Sequence, residues 1–223
     1  MIYETNKKLK IKIYYCYFKM NSVEKTYDKI AKDFNRTRYK VWNRVARFLD
    51  DLEPNTRVLE VGCGNGKNML YRNDLQVYGI DISDEQVLIC KEKELNVEKS
   101  NMTKLSFSDS EFDSILCIAT YHHLDNDKER AQALSEMYRV LKKNGRVMIC
   151  VWAMEQPSNT KHRFTKSDEL VSWKIDNETH YRYYHIYKKG ELESEISVLC
   201  PEFTIESVFY ELGNWFILLS KLI

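Results

Sequence analysis

A glycine-rich turn directly after an apolar run is the part of this sequence with the clearest chemical meaning. Residues 57–61 form a mostly apolar run that leads into Gly62-Cys63-Gly64-Asn65-Gly66. Glycines there let the chain turn tightly and let a ligand lie against bare backbone. Asp81 ends the next apolar run, twenty-one residues after Glu60, where a carboxylate can accept both hydroxyl hydrogens of a ribose. Together these features predict a nucleoside-binding site.

The spacing of the glycines indicates which nucleoside cofactor would bind. The motif reads G-x-G-x-G and lacks the third glycine of the G-x-G-x-x-G pattern of dinucleotide sites. Glu60, two residues before Gly62, favours a ligand with cationic sulfonium and amino groups over a pyrophosphate. These observations favour S-adenosylmethionine. The alternative is a glycine turn that only packs a strand on a helix.

The remaining cofactor contacts are predicted from where the other strands end. Asn101 and Met102 follow the third predicted strand, where the adenine would lie, and Ile118 ends the fourth as the opposite wall. Ordinary packing is the alternative role for Met102 and Ile118. The complete predicted cofactor set is Tyr27, Arg38, Glu60, Gly62, Gly64, Asp81, Ile82, Asn101, Met102 and Ile118.

Helical and strand patterns alternate along the chain, which predicts an α/β fold. We expect the Rossmann-like architecture of class I methyltransferases, with a mostly parallel seven-stranded sheet and a C-terminal antiparallel hairpin. Gly213-Asn214 is the predicted turn of that hairpin, between strands at Thr204–Glu211 and Trp215–Ser220. The polar stretch Ala153–His180 shows no clear pattern and is interpreted as an irregular functional insertion.

Length and composition bound the domain organisation. The 223 residues predict one domain over residues 20–223, with a helical cap at 22–52 and a substrate-side insertion at 153–187. Residues 1–19 are interpreted as an N-terminal extension, and the sequence leaves open whether it is ordered. The net charge of +1 gives no bulk argument for nucleic-acid binding, and no apolar run is long enough to span a bilayer.

The cysteines indicate a reducing compartment. Six cysteines occur, none forms a C-x-x-C pair, and several lie in apolar runs. This pattern predicts reduced, buried thiols and no metal site in this chain. We therefore expect a cytoplasmic protein without a membrane partner, and a nuclear location is left open.

Several longer segments carry a family resemblance that extends from about Tyr27 to the C-terminal end. The sequence resembles the eukaryotic tRNA wobble-uridine carboxyl methyltransferases, both the yeast type and the methyltransferase domain linked to an AlkB-like oxygenase in animals. One departure is Val41, where the family usually has proline. Another is a much shorter insertion before Tyr181 than in the animal relatives. The matching segments are Tyr27–Ala31, Thr37–Trp42, Gly62–Lys67, Tyr121–His123, Val151–Gln156, Tyr181–His185, Lys189–Leu192 and Gly213–Trp215.

The resemblance implies an activity and partners. It implies methyl transfer from S-adenosylmethionine to the carboxylate of 5-carboxymethyluridine at the tRNA wobble position, which gives the methyl ester. It also implies contact with the tRNA anticodon loop and a small zinc-binding activator protein as obligate partner. The weak strand Val97–Asn101 would be the sheet edge that pairs with this activator.

The candidate catalytic residues are Arg38 and His122. An arginine can hold a carboxylate through a two-pronged, charge-assisted contact, and Arg38 lies in the cap beside the cofactor. His122 follows the fourth strand, where substrate-facing groups are expected, and a backbone-bonded helix-start residue is its alternative role. His123 is expected to pack locally. The predicted substrate contacts are Trp42, Trp152, Arg163, Arg182, Tyr183 and Asn214.

Two other functions remain open at this point. A small-molecule methyltransferase would share the glycine turn and Asp81 but would need an apolar pocket instead of the basic and aromatic insertion. A catalytically silent scaffold would use the fold only to bind the zinc protein. The intact cofactor motif argues against the scaffold, because a silent copy has no need of Glu60 and Asp81 together.

Overall fold

A computed structural model describes residues 23–222 of the chain, so the N-terminal extension predicted at 1–19 lies outside the described residues. Seven strands form one sheet in the order β3-β2-β1-β4-β5-β9-β8. Strands β1 to β5 are parallel, and β9 lies antiparallel between β5 and β8. This confirms the predicted fold class. The sheet strands are β1 (Arg57–Val61), β2 (Gln76–Asp81), β3 (Val97–Lys99), β4 (Phe112–Ile118), β5 (Leu141–Trp152), β8 (Thr204–Glu211) and β9 (Asn214–Ser220).

The central strands are buried on both faces because helices cover the sheet on each side. All but the first residue of β1 are buried, as are most residues of β4, and Leu59 and Ile115 belong to the largest apolar cluster. Such continuous apolar runs are typical of parallel strands. The carboxyl ends of parallel strands meet at one edge of the sheet, so the glycine turn after β1 lies beside Asp81 at the end of β2.

Side-chain caps mark where two of the helices begin. Helix α3 is capped by the Ser83 hydroxyl, which accepts from the Gln86 amide, and α4 by the Asn126 side chain, which accepts from the Glu129 amide. A 3-10 turn covers Tyr121–His123 after β4. None of the helices within residues 23–222 has the length and apolar character that a membrane crossing needs. The helices are α1 (23–37), α2 (Asn43–Asp50), α3 (Asp84–Glu92), α4 (Asp127–Val140) and α5 (Glu191–Leu199).

The insertion is irregular only in its first half: residues 154–167 contain no helix or strand, whereas residues 168–185 are regular, which corrects the expectation for the second half. Strands β6 (Asp168–Ile175) and β7 (Glu178–His185) form a separate antiparallel hairpin. The hairpin is fastened to α1 at two places. The Thr26 hydroxyl donates to the Tyr181 carbonyl at 3.0 Å, and the Trp173 indole N–H donates to Asp33 at 2.9 Å. These contacts hold the hairpin as a wall above the carboxyl edge of the main sheet.

The C-terminal hairpin turns one residue earlier than predicted. Glu211 pairs with Asn214, so the two turn residues are Leu212 and Gly213. Both have positive φ, 48° and 81°, which is the backbone of a tight type I′ turn. Asn214 is therefore the first residue of β9 and not part of the turn.

The edge strand β3 is tied to α1 and α3 through Lys99. The carboxylates of Glu24, Asp28 and Asp84 lie within 4.8 Å of one another, an arrangement that also suits a metal ion. The Lys99 ammonium lies 2.8 Å from Glu24 and 2.6 Å from Asp84, while Asp28 accepts the Ser83 hydroxyl at 2.6 Å. A lysine therefore already supplies the positive charge for this acidic cluster.

Candidate functional site

A cavity of about 310 Å³ opens at the carboxyl edge of the sheet, between α1, the glycine turn and the β6–β7 hairpin. The structure places all ten residues of the predicted cofactor set on its wall. Their individual roles stay predictions, but the fold brings all ten residues to one cavity. They are Tyr27, Arg38, Glu60, Gly62, Gly64, Asp81, Ile82, Asn101, Met102 and Ile118.

The glycine turn needs glycine at the positions that face the cavity. Gly62 has φ +73°, and a Cβ atom on it would lie 2.1 Å from the Thr120 methyl group. Gly64 has φ +53°, and its Cβ would lie 3.2 Å from the Phe34 ring. An L side chain is strained at these angles and has no room at Gly62. The turn therefore presents bare backbone to whatever occupies the cavity.

Asp81 is oriented by the glycine turn itself. Its Oδ2 accepts the Gly64 amide hydrogen at 2.8 Å, and its Oδ1 accepts that of Ser83 at 2.9 Å. Burial raises the pKa of Asp81, and the two backbone hydrogen bonds act in the opposite direction. Each oxygen keeps accepting capacity, so the carboxylate can hold a diol at the end of β2.

Glu60 is a buried acid with one oxygen unsatisfied. The side chain is 2% exposed, Oε1 accepts from the Asn68 amide at 2.6 Å, and Oε2 has no hydrogen-bond partner among the described residues. Burial raises its pKa to about 8. A buried polar atom without a partner costs about 1–3 kcal/mol, so this oxygen fits a ligand that carries a cationic donor such as an ammonium group. The site thus fits the amino end of S-adenosylmethionine.

On the opposite wall a buried arginine is enclosed by aromatic rings. Arg182 is 4% exposed, and its Cζ lies 4.8 Å from the Trp173 ring centroid, 5.2 Å from that of Tyr184 and 5.7 Å from that of Tyr27. Its Nη1 reaches the Tyr27 hydroxyl at 3.5 Å, and its Nε has no hydrogen-bond partner within residues 23–222. A buried guanidinium among rings attracts an anion that enters the cavity.

Comparisons with known proteins decide the family. A family model described as a methyltransferase domain matches residues 59–149. A tRNA (carboxymethyluridine(34)-5-O)-methyltransferase of Schizosaccharomyces pombe is 30% identical over 89% of this chain and 96% of that protein. The chain belongs to this family. A relative of the same description from Xenopus tropicalis, alkbh8, is 29% identical over 90% of the chain, which spans 41% of that protein's length.

Solved structures agree with the fold of this family member. An S-adenosylmethionine-dependent methyltransferase from Methanosarcina mazei superposes with a TM-score of 0.66. That match covers 82% of this chain and 99% of the other, at 20% sequence identity. At this identity the likeness supports the Rossmann-like fold and nothing finer.

His122 of this family member takes its alternative role as a backbone-bonded residue of the 3-10 turn, and His123, expected to pack locally, faces the cavity. His122 is fully buried outside the cavity wall, and its Nδ1 accepts the Trp152 amide hydrogen at 3.0 Å, so it fastens the end of β5. His123 lines the cavity instead. Its Nδ1 donates to the Tyr183 carbonyl at 2.6 Å, which leaves Nε2 to accept the Tyr27 hydroxyl hydrogen at 2.9 Å. Burial lowers the pKa of His122 and lowers that of His123 to about 3, so both rings are neutral.

Three of the six predicted substrate contacts lie on the cavity wall, namely Trp42, Trp152 and Arg182. Trp152 stacks on Tyr184 with ring centroids 4.4 Å apart and an interplanar angle of 19°. Arg38 also lies at the wall, but it is exposed at the rim, with its Cζ 4.8 Å from the Trp173 ring centroid. The buried cation of the cavity is therefore Arg182, not the arginine that the sequence favours.

The other three predicted substrate contacts do not line the cavity, and their side chains are engaged elsewhere in the fold. The Arg163 guanidinium donates to carbonyl groups of its own loop, including Ser158 at 2.8 Å. Tyr183 is 1% exposed and its hydroxyl donates to Asp168 on the far side of the hairpin. The Asn214 amide donates to the Leu212 carbonyl at 3.1 Å and so serves the turn.

Several cavity residues carried no predicted role. Lys67 directly follows the glycine motif, and a positive charge next to that motif is the sequence signal that indicates a cavity residue. Trp173 and Tyr184 lie on β6 and β7, and along β6 exposed residues alternate with less exposed ones, as is typical of a strand. Asp176-Asn177 between them is a turn signal that would have located the hairpin.

Proposed function

We propose that this chain methylates the carboxylate of 5-carboxymethyluridine at tRNA position 34, with S-adenosylmethionine as donor. The observation that carries this proposal is the buried Arg182 guanidinium, which faces the same cavity as Glu60 and Asp81 and has aromatic rings around it. Family membership supplies the class of substrate, because the relatives are named for methyl transfer to carboxymethyluridine. S-adenosylmethionine would supply an electrophilic methyl group at this site.

The residues of the cavity suit a reaction that needs no proton transfer. A carboxylate with a pKa of about 4 is already ionised at neutral pH, so it can attack without a general base. His122 and His123 are both neutral, and His122 lies outside the cavity wall, where its Nδ1 accepts a backbone amide hydrogen. Both ring nitrogens of His123 are engaged, one by the backbone and one by Tyr27. Arg182 would orient the substrate carboxylate, and the closed aromatic surroundings would remove water from it.

An aromatic wall beside Arg182 gives the uracil base a surface on which to stack. Trp152 is only half buried, and its ring centroid lies 5.0 Å from that of His162 as well as close to Tyr184. RNA enzymes commonly splay out the target base and stack it on such rings. Trp42 also lines the cavity, and its ring makes a cation–π contact with Lys67.

The activator subunit is part of the same proposal. Strand β3 has three residues and pairs only with β2 within the described sheet, so its outer edge is open to a further strand. A small zinc-binding protein that adds a strand to this edge would pair with the backbone of Val97–Lys99. The complex would act in the cytoplasm or the nucleus, where carboxymethylated tRNA is available.

Labelled methyl transfer tests the proposal. The chain would be co-expressed with the small zinc-binding partner of its own organism and assayed on carboxymethylated tRNA. We expect base-labile label, as a methyl ester requires, and its loss in Asp81→Ala. Binding of cofactor without any label on this tRNA would refute the substrate assignment and leave the cofactor site intact.

A matched pair of arginine variants tests the carboxylate contact. Arg182→Met should lower kcat/KM by about 100-fold, since a two-pronged charged contact is lost, while cofactor affinity stays within about twofold. Arg47→Met removes an exposed arginine of α2 outside the cavity and should leave kcat/KM unchanged. Equal effects of the two variants would contradict a role for Arg182 in holding the substrate.

A further inference from the structure

A second cation lies in the cavity, and neither the reaction nor the fold accounts for it. Lys67 follows Gly66 directly, lines the cavity and is partly buried. Its Nζ lies 5.2 Å from the Trp42 ring centroid. Within the part of the chain that the structure describes, its ammonium makes this cation–π contact and no hydrogen bond or ion pair. The ammonium is therefore available to a ligand in the cavity.

A buried acid of the same cavity also has an oxygen atom without a hydrogen-bond partner. Glu60 lies in the same cavity, interacts electrostatically with Lys67, and keeps Oε2 without a partner. The two groups therefore present an ammonium and a buried carboxyl group to one space without a hydrogen bond between them, and the carboxyl group ionises when a cation binds to it. An α-amino acid zwitterion carries an ammonium and a carboxylate on one carbon atom. Its two charges are the complement of this pair.

The cations of the cavity have to accommodate two carboxylates. The proposed cofactor brings one carboxylate and the proposed substrate brings another. Arg182 lies among Tyr27, Trp173 and Tyr184, whereas Lys67 lies by Trp42 and the glycine turn on the side of Glu60. A carboxylate on the same carbon atom as an ammonium bound at Glu60 lies two bonds from that ammonium, and Lys67 is the cation whose charge acts on Glu60.

We propose that Lys67 binds the carboxylate of the cofactor's amino-acid group while Glu60 receives its ammonium, which leaves Arg182 free for the substrate carboxylate. This inference rests on the proposed function for the identity of the cofactor. It assigns a separate cation to each carboxylate, so the substrate does not compete with the cofactor for one arginine. It also makes Lys67 the residue that distinguishes the intact cofactor from its decarboxylated form.

Calorimetric binding with two ligands isolates this contact. S-adenosylmethionine carries the carboxylate, and decarboxylated S-adenosylmethionine keeps the sulfonium and the amine but lacks it. Lys67→Met retains an apolar stem against Trp42 and removes the charge. We expect Lys67→Met of the full chain to bind S-adenosylmethionine about 10- to 100-fold more weakly and the decarboxylated ligand within about twofold of the unsubstituted protein.

Two further variants serve as controls. Lys67→Arg keeps the charge and should retain most of the preference for S-adenosylmethionine. Lys143→Met removes an exposed lysine between α4 and the buried part of β5, outside the cavity, and should bind both ligands normally. In turnover assays, Lys67→Met should raise KM for the cofactor and leave KM for tRNA unchanged.

Three results would overturn the inference. Equal weakening of both ligands would assign Lys67 to the fold of the turn, and a rise only in KM for tRNA would assign it to the substrate. A selective loss in Arg38→Met instead of Lys67→Met would move the carboxylate contact to the cavity rim. In each case binding of S-adenosylmethionine by the unsubstituted protein would still support the proposed cofactor, and its absence would refute the proposed function itself.

Discussion

The raised pKa of Glu60 predicts that cofactor binding is linked to pH. Without ligand its carboxyl group has a pKa of about 8, because burial outweighs the hydrogen bond from Asn68 and the charge of Lys67, and the charge of Asp81 raises it further. At pH 7 only about one molecule in ten then carries the negative charge. A bound ammonium favours the ionised form. Binding below pH 8 should therefore release about one proton.

The size of the effect follows from this pKa. Affinity for S-adenosylhomocysteine should fall about fivefold from pH 8 to pH 7 and about tenfold from pH 7 to pH 6, since the acid must lose its proton before it can pair. Glu60→Gln cannot ionise, so its affinity should be lower at pH 8 and nearly independent of pH. Calorimetry in two buffers with different ionisation enthalpies counts the released proton directly. Equal dissociation constants at pH 6 and pH 8 for the unsubstituted protein would refute this reasoning.

The same substitution should stabilise the protein without ligand. In the unfolded chain Glu60 has an ordinary pKa of 4.5, so between 4.5 and about 8 the unfolded state is ionised while the folded state holds the proton. The free energy of unfolding therefore falls as pH rises through this window. Glu60→Gln removes a cost on the order of 4 kcal/mol at pH 8 and should raise Tm there, but not at pH 4. A lower Tm for the variant at pH 8 would show that the buried carboxylate is already compensated.

Three further predictions concern the turn and the hairpin. Gly62→Ala should abolish cofactor binding and lower Tm, because its Cβ would meet Thr120 at 2.1 Å. The control, Gly190→Ala, has a similar φ of +79° but open space around the added Cβ, so it should lower the free energy of unfolding by only about 1 kcal/mol, measured with denaturant. Trp173→Phe loses the indole hydrogen bond to α1, so amide exchange in residues 168–185 should quicken while Tm changes little; unchanged exchange would contradict a tethered wall. Tyr183→Phe should leave both KM values within about twofold, and a large rise in KM for tRNA would restore its predicted substrate role.

The cofactor half of the site was predictable because its signals are local. The motif consists of an apolar run, a glycine turn and an acid at the end of the next apolar run, all within about twenty-five residues. Parallel pairing of the two strands brings the turn and the acid together. Glu60 and Asp81 therefore lie where the sequence places them. Arg38 also reaches the cavity, although its exposure at the rim is a property of how α1 packs and is not encoded nearby.

The substrate half depends on backbone details that a sequence pattern does not contain. Ala119 has a φ of +55° after β4, and the 3-10 turn that follows rotates His123 toward the cavity and His122 into the core. A shift of one residue in that turn would exchange the two rings. Similarly, Gly213-Asn214 is a better turn pair than Leu212-Gly213 by intrinsic preference, and the pairing of β8 with β9 overrides it.

The position of β9 has a consequence for how the protein is made. This strand follows every other strand in the chain, yet it lies between β5 and β8 and hydrogen-bonds to both. During synthesis the sheet cannot close until residues 214–220 have left the ribosome, so β5 is exposed as a long apolar edge until then. A nascent chain that stalls before Asn214 would thus display a strand ready to pair with other proteins, and chaperones would be needed most until β9 has emerged.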